Sequence, residues 1–260
     1  MATLERFPRR AGVATLVARE QLTPRMLRVT LRSDEFGAEW PLEQPGEILT
    51  LLFLPAGEEI VLPEQGWRFP EGAPEQAWRN YTVRSHRPEI GEIDIDVVLH
   101  TPRGPACTWA DASEIGASVG YAGPRIDFAP VDDADWLLLC GDETALPSIA
   151  AILETAPPQL PVTAIIEVRD AADEIPVTLG DAQTLRWVHR ETDATGTTDH
   201  LAAALRALAL PDGDGQAWGA GESKIARDLR GVLRDEHGLP KTHARARGYW
   251  LRTGEWDLDE

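Results

Sequence analysis

The sequence lacks the features that mark several classes of protein. Only two of its 260 residues are cysteines, Cys107 and Cys140, too few for a disulfide framework or a four-thiolate zinc site. No run of about eighteen apolar residues occurs, and no apolar core follows the basic N-terminus, so we expect neither a transmembrane helix nor a signal peptide. Together these absences favour a cytoplasmic protein in a reducing compartment.

Positive charge is also scarce. Lysine and arginine total 25 against 43 aspartates and glutamates, which gives a formal net charge of −18. Such a chain repels phosphate backbones and anionic lipid, so neither nucleic acid nor a membrane surface is an expected partner. An anionic ligand would need a local basic pocket.

Several catalytic motifs are missing as well. No two of the six histidines are spaced as in H-x-x-x-H, which leaves a histidine zinc site without support. The chain has no G-x-S-x-G elbow, no P-loop and no G-x-G-x-x-G fingerprint. Hydrolase, P-loop and standard dinucleotide-fingerprint chemistry are therefore not indicated.

The first half of the chain has the pattern of an antiparallel β domain. Segments 25–32, 47–54 and 92–100 are rich in β-branched and apolar residues and are separated by proline and glycine. Segment 92–100 alternates as a half-buried strand does, while 55–77 has little periodicity and predicts a long surface loop. The apolar positions of that strand are Ile93, Ile95, Val97 and Leu99, and the acidic positions are Glu92, Asp94 and Asp96.

The second half alternates short apolar runs with helical patterns, which is typical of βαβ units and a parallel sheet. The predicted strands are 135–140, 162–168, 184–189, 216–220 and 243–250, and the predicted helices are 144–156, 198–209 and 222–236. The change of pattern falls near 129–134. The fold class is therefore β plus α/β, with an N-terminal antiparallel β-barrel in residues 1–130 and a C-terminal parallel-sheet α/β domain in residues 131–260.

Two segments of the first half suit a cofactor that has a phosphate and a planar ring. In Arg79-Asn80-Tyr81-Thr82-Val83-Arg84, a guanidinium can bind phosphate and a phenol can lie against a ring. In Gly104-Pro105-Ala106-Cys107-Thr108-Trp109-Ala110, backbone N–H groups at a helix start can cradle a pyrophosphate. Taken singly, each segment also fits an ordinary strand or a capped turn.

Two further segments lie in the second half. Gly141-Asp142-Glu143-Thr144 occupies a strand-to-helix turn where nucleotides bind in parallel sheets, although its acids also suit a capped helix start. Trp218-Gly219-Ala220-Gly221-Glu222, with Gly248-Tyr249-Trp250, could approach a planar ligand closely or simply pack aromatic rings between helix and sheet.

Together these motifs resemble the siderophore-interacting protein family, the flavin-dependent ferric-siderophore reductases of the ferredoxin-reductase-like superfamily. The resemblance covers roughly residues 10–254, with the motifs in the family's order. The matching segments are R-N-Y-T-V-R at 79–84, D-V-V-L-H at 96–100, G-P-A-C-T-W-A at 104–110, G-D-E-T-A-L-P-S-I at 141–149, E-V-R-D-A-A-D-E at 167–174, A-G-E at 220–222 and G-Y-W at 248–250.

The resemblance implies that the barrel binds FAD and that the α/β domain binds NADPH or NADH. It assigns a catalytic place beside the flavin to Thr82 and Tyr81, and phosphate binding to Arg79. The implied FAD residues are Arg79, Tyr81, Thr82, Val98, Leu99, His100, Gly104, Ala106, Cys107, Thr108 and Trp109. The implied donor-binding residues are Gly141, Asp142, Thr144, Ala220, Gly221 and Glu222.

The chain departs from the family pattern at two places. Cys107 stands where the family usually has serine, and Leu251 stands where a basic residue usually follows G-Y-W. Because a thiol is a weaker donor than a hydroxyl, the pyrophosphate contact at Cys107 would depend on backbone N–H groups or on Thr108. The candidate contacts for an anionic siderophore are Arg125, Lys241, Arg247 and Arg252.

The implied activity is FAD-dependent reduction of a ferric siderophore, which releases Fe(II) during intracellular iron acquisition. The donor stays open among NADPH, NADH and ferredoxin: Arg169 or Arg190 could bind a 2′-phosphate, and Glu167 and Asp170 beside them oppose it. Two alternatives are a general flavin or ferredoxin-linked reductase and a non-enzymatic siderophore carrier. A monomer is favoured.

Overall fold

A computed structural model describes residues 10–54, 59–64, 68–131 and 134–252. The chain divides into two compact units, the first ending at Ala129 and the second beginning at Pro130. Each unit has its own hydrophobic core. Parts of the predicted surface loop (55–58 and 65–67) and of the predicted linker (132–133) lie outside the described residues.

The first unit contains a seven-stranded antiparallel sheet that curls as a half-barrel. Its strands are β1 (Arg10–Thr23), β2 (Met26–Arg32), β3 (Ile48–Phe53), β4 (Ala77–Thr82), β5 (Ser85–Arg87), β6 (Glu92–Val98) and β7 (Ser118–Arg125). Their spatial order is β4-β3-β7-β1-β2-β6-β5. Helix α1 (Pro105–Ala112) follows β6, and the predicted antiparallel β domain is confirmed.

Strand β6 differs from its prediction as a half-buried strand. Its isoleucines and Val97 face the core, but its acidic face is buried too, with Asp94 only 6% exposed. Arginines from β2 and β5 cover that face, so the acidic residues form ion pairs where solvent was expected. The pairs are Arg28 with Asp96, Arg32 with Glu92, and Arg87 with Asp94.

Asp94 is the most heavily bonded carboxylate of this face. It accepts hydrogen bonds from Arg87 at 2.6 and 2.8 Å, from Ser85 at 2.6 Å and from Thr30 at 2.8 Å. Burial alone would raise the pKa of this carboxyl, but the bonds from Arg87, Ser85 and Thr30 outweigh it and lower the pKa to about 2.

We expect Asp94→Asn to destabilise the first unit by about 2 kcal/mol at neutral pH, because Arg87 loses one of its two charged partners and keeps only Glu92, at 3.2 Å. The wild-type pKa is depressed, so the stabilisation is complete above the unfolded value near 4 and disappears as pH falls towards 2. Urea unfolding at pH 7 and at about pH 3 measures the difference. A cost that does not shrink at the lower pH would contradict the ion-pair explanation.

The second unit contains a five-stranded parallel sheet in the order β10-β9-β8-β11-β12. Its strands are β8 (Trp136–Asp142), β9 (Val162–Val168), β10 (Gln183–His189), β11 (Gly215–Glu222) and β12 (Ala244–Trp250). Its helices are α2 (Leu146–Thr155), α3 (His200–Arg206) and α4 (Ser223–Gly231). The predicted α/β domain with a parallel sheet is confirmed.

Helix α4 is shorter than the predicted helix over 222–236. Glu222 is its N-cap, and beyond Gly231 the chain continues as a π-helix over Val232–Glu236. Within the described ranges, no helix is long and apolar enough to cross a membrane.

Candidate functional site

The N-terminus of α1 has the geometry of an anion site. Its N-cap is Gly104, which offers no side-chain cap, and Pro105 occupies the first turn. The first intrahelical bond runs from the Thr108 amide to the Gly104 carbonyl at 3.0 Å, so the Ala106 and Cys107 amides precede it. Unsatisfied N–H groups at a helix start attract phosphate oxygens, as the sequence predicts here.

The side chain of Cys107 turns inward. Its thiol is buried and donates a hydrogen bond to the Val98 carbonyl at 3.1 Å. Burial opposes ionisation, but hydrogen bonds from the His100 side chain and from the His100 and Gly104 backbones lower the pKa of the thiol. The sulfur therefore holds the 98–104 loop together, and only the amide of Cys107 remains at the helix start.

Three segments bring predicted FAD residues into one electrostatic environment. Burial and the nearby Cys107 thiol raise the pKa of the Tyr81 phenol on β4, and the positive charge of Arg79 offsets part of this rise. The hydrogen bond to Cys107 raises the pKa of His100. Burial and the positive charge of Arg79 lower that pKa, but by less. Tyr81 and Cys107 pack against the same core, and His100 bonds to Cys107, although β4, the loop and α1 are separate in sequence.

The other predicted FAD residues form the apolar surroundings of this cluster. Leu99 and Trp109 pack against the core of the first unit, and the Trp109 ring lies 5.9 Å from that of Phe53. Thr82, the last residue of β4, is buried, and the Thr108 hydroxyl donates to the Gly104 carbonyl at 3.0 Å. Trp109 therefore packs against the core of the first unit beside Phe53, and its predicted contact with FAD stays a prediction.

The cluster fits a dinucleotide pyrophosphate. The helix amides are donors, and the exposed His100 ring lies 3.6 Å from the position that a Gly104 Cβ would occupy. Arg79, on β4, is exposed, and its guanidinium donates to the Trp78 carbonyl at 2.6 Å. Amide donors beside a cationic side chain are the chemistry that a phosphate group requires.

His100 should make FAD binding pH-dependent. Its hydrogen bond to Cys107 raises the pKa of the imidazole above its usual value, so the ring keeps positive charge to a higher pH than a free imidazole and loses that charge as the pH rises from about 6 to 9. Losing this charge beside a pyrophosphate should weaken FAD binding by up to about fivefold over that range. Titration of the apoprotein with FAD, followed by flavin fluorescence at constant ionic strength, measures this.

His100→Gln should abolish the trend, and His243→Gln, on the second unit, should keep it. A pH dependence that persists in His100→Gln would show that another group is responsible.

In the second unit, Asp142 joins three strand ends. Its Oδ1 accepts bonds from the Thr144 amide at 2.9 Å and the Thr144 hydroxyl at 2.5 Å. Its Oδ2 accepts bonds from the Glu222 amide at 3.0 Å and the Trp250 indole at 2.8 Å. Asp142 is 1% exposed, and its carboxylate fixes β8, β11 and the end of β12, while its implied contact with the donor stays a prediction.

The small residues of this turn are explained by close backbone approach. A Cβ on Gly221 would lie 2.8 Å from Asp142 Oδ2, and a Cβ on Gly141 would overlap the Ala220 carbonyl. Glu222 caps α4 through bonds to the Lys224 amide at 2.6 Å and the Ile225 amide at 3.1 Å. The A-G-E motif therefore shapes the carboxyl ends of the central strands.

Two ionic pairs at this edge were not predicted as pairs, although Arg190 and Glu167 were considered singly as residues for or against a 2′-phosphate. Arg190 is 3% exposed and binds both oxygens of Glu143, at 2.8 and 2.5 Å. Burial and the charge of Asp142 raise the pKa of Glu143 to about 7, against the Arg190 guanidinium, which lowers it. These partners are 47 residues apart in sequence, so no local pattern could have revealed the pair.

The second unpredicted group is Glu167 with His200. Glu167 lies beside Asp142 in the sheet register and is 1% exposed. Its Oε2 accepts a bond from the Thr198 hydroxyl at 2.6 Å, while its Oε1 and the buried Nδ1 of His200 have no hydrogen-bond partner. Burial raises the pKa of Glu167 despite that bond. Glu167 lay in the family motif, but only the fold reveals its unpartnered oxygen.

The four candidate siderophore contacts do not all come together. Arg125 ends β7 in the first unit and donates to the Asn80 side-chain oxygen at 2.8 Å. Lys241 precedes the amino end of β12 and Arg252 follows its carboxyl end, which puts a seven-residue strand of about 20 Å between them. Ligands of parallel sheets bind at carboxyl ends, which favours Arg252 among the residues of this unit, and all four contacts stay predictions.

Comparison with known proteins agrees with this geometry. The siderophore-interacting FAD-binding domain family matches residues 15–128, and the siderophore-interacting protein family matches residues 134–253. The ferric vibriobactin reductase ViuB of Vibrio cholerae is 29% identical over 91% of this chain and 88% of its own length. A Mycobacterium bovis relative is 32% identical over 91% of this chain and 89% of its own.

Solved structures show the same relationship. A siderophore utilization protein from T. fusca superposes with a TM-score of 0.87 at 34% identity, covering 99% of this chain and 98% of its own. The siderophore-interacting protein SipS of Aeromonas hydrophila gives 0.80 at 24% identity, with 95% and 93% covered. The chain thus belongs to the siderophore-interacting protein family and is an oxidoreductase whose first unit is that family's FAD-binding domain.

Proposed function

We propose that this protein reduces ferric siderophores with electrons passed through FAD, and that the released iron is Fe(II). The observation that carries the proposal is the uncapped start of α1, with the His100 ring beside Gly104 and the Cys107 thiol turned inward. This cluster supplies donors for a pyrophosphate in a family whose first domain binds FAD.

The residues of the first unit bind and orient. The Ala106 and Cys107 amides, with Arg79 and His100, would hold the pyrophosphate. Tyr81 and Thr82, at the end of β4, would lie along the flavin. Cys107 would keep the 98–104 loop in shape through its bond to Val98.

Bound FAD would convert a two-electron hydride into the single electrons that Fe(III) accepts. The iron is substrate and arrives with its own ligands. Siderophore oxygens are hard ligands that favour Fe(III) over Fe(II), so reduction weakens the chelate. The task of the protein is to admit the complex and to supply local positive charge, for which Arg125, Lys241, Arg247 and Arg252 are the candidates.

A reduced nicotinamide nucleotide is the donor that the second unit supports best. The carboxyl ends of β8 and β11 meet where Gly141 and Gly221 allow close backbone approach. This edge of an open parallel sheet is where nucleotides bind. The proposed location is the cytoplasm, where such donors are available, and ferredoxin is the alternative donor that the experiment below includes.

The test measures Fe(II) release directly. The holoprotein is mixed with donor and a ferric siderophore, and Fe(II) is trapped by a coloured ferrous chelator. The proposal expects donor-dependent release that stops when FAD is removed and returns when it is restored. Faster reduction of free flavin than of any ferric chelate would favour a general flavin reductase. Tight siderophore binding by a protein that takes up no flavin would favour a carrier.

A further inference from the structure

The ionic groups at the carboxyl ends of β8 and β9 bear on which nicotinamide donor this protein uses. We infer that the second unit binds a donor with a free adenosine ribose 2′-hydroxyl, NADH, and rejects the 2′-phosphate of NADPH, with Glu167 as the main specificity-determining residue. The inference rests on the proposed function, because it takes a nicotinamide nucleotide as donor.

The first argument is that the buried guanidinium of this edge is already engaged. Arg190 follows β10, and its two terminal nitrogens bind both oxygens of Glu143 at 2.8 and 2.5 Å. A 2′-phosphate would have to displace Glu143 from a pair that is almost wholly buried. Breaking such a pair is strongly unfavourable because it leaves a buried charge without its partner.

The second argument concerns the other arginine. Arg169 follows β9, its side chain is 48% exposed, and its Nε lies 3.9 Å from an Asp170 carboxylate oxygen. It is therefore held beside a negative charge and in water, where an ion pair with a phosphate is worth little. Neither arginine that could accept a 2′-phosphate is placed to do so.

The third argument is the state of Glu167. Its carboxylate is 1% exposed, and Oε1 has no hydrogen-bond partner although Thr198 donates to Oε2. His200 Nδ1, 3.9 Å from Oε2, also has none. Buried polar atoms normally have a partner, so Glu167 Oε1 and His200 Nδ1 are the two atoms of this edge that a polar ligand would engage. A ribose offers hydroxyl groups that donate to a carboxylate and accept from an imidazole N–H.

The position of Glu167 agrees with this chemistry. It lies at the end of β9, directly beside Asp142 at the end of β8. In dinucleotide-binding sheets, an acidic residue near the end of the second strand binds the ribose hydroxyl of NAD, and an arginine there accommodates NADP. A 2′-phosphate dianion would instead meet the charges of Glu167, Asp142 and Asp170.

The experiment uses adenine nucleotides that lack the nicotinamide, so that it does not depend on flavin or catalysis. ADP-ribose and 2′-phospho-ADP-ribose are titrated into the full-length protein by calorimetry at pH 8. We expect ADP-ribose to bind at least about thirtyfold more tightly, since a discriminating charged contact is worth about 2 kcal/mol. Equal affinities, tighter binding of the phosphorylated form, or no binding of either would overturn the inference.

Two variants test the assignment to Glu167. Glu167→Gln keeps the shape and removes the charge, and should reduce the preference for ADP-ribose about tenfold. Glu143→Gln weakens the hold on Arg190 and should also improve binding of the phosphorylated form, which protects the test if Glu167→Gln folds poorly. Glu154→Gln, on an exposed glutamate at the end of α2, is the matched control. If neither test variant changed the preference for ADP-ribose, trapped water would explain the unpartnered atoms of Glu167 and His200, and the inference would be wrong.

The outcome is separable from the proposed function. Discrimination between the two nucleotides in a protein that reduces no ferric siderophore would leave the inference standing and remove the reductase. Ferric reduction at equal rates with NADH and NADPH would leave the reductase function standing and remove the inference about the donor.

Discussion

The Arg79→Ala protein is expected to purify with little bound flavin and to bind added FAD about 10- to 100-fold more weakly than the wild type. We propose Arg79 as a phosphate contact because its positive charge offsets part of the rise in the pKa of both Tyr81 and His100, the two predicted FAD residues on either side of the cluster. A charged hydrogen bond to a phosphate contributes about 1.5–3 kcal/mol, which corresponds to this loss of affinity. Flavin content at 450 nm and an FAD titration of the apoprotein measure the effect.

Two controls accompany this variant. Arg79→Lys keeps the charge but loses the planar fork, so we expect an intermediate affinity. Arg186→Ala removes an exposed strand arginine from the second unit and should leave FAD binding unchanged. Full flavin content in Arg79→Ala would remove Arg79 from the FAD site.

Asp142→Ala should destabilise the second unit by about 4 kcal/mol. Four donors lose their acceptor, and each buried donor left unsatisfied costs about 1–3 kcal/mol. The loss also loosens the ends of β8, β11 and β12 together. Urea unfolding followed by tryptophan fluorescence measures the change, and added FAD identifies the transition of the first unit by shifting it.

Asp181→Ala, at an exposed position before β10, serves as control and should change stability by less than about 0.5 kcal/mol. A comparable loss in both variants would mean that the Asp142 bonds contribute little. The transition that FAD shifts belongs to the first unit. If Asp142→Ala destabilised that transition instead of the other one, the assigned role of Asp142 in the second unit would be wrong.

The overall architecture could be predicted because it depends on local periodicity. The run at 162–168 predicted β9, whose bounds match, and the alternation at 92–100 predicted β6 to within two residues. The burial of the acidic face of β6 could not be predicted in this way. It depends on Arg28, Arg32 and Arg87, which reach that face only after the strands pair.

The candidate site was predicted at the level of motifs, not of side-chain roles. The segment around Cys107 predicted an N-terminal anion site, but the inward turn of the thiol depends on the Val98 carbonyl nine residues earlier. Asp142 lay in a predicted turn, yet its bonds to Glu222 and Trp250 connect distant strands. Spacing in sequence carries no information about such long-range pairs.

The absorption spectrum of the purified protein tests the central claim most directly. The protein is kept anaerobic, its visible spectrum is recorded, and NADH and then a ferric siderophore are added. We predict flavin bands that bleach with NADH and recover in step with consumption of the ferric complex. A colourless protein that takes up no added FAD, or a bleached flavin that the ferric siderophore does not reoxidise, would contradict the account.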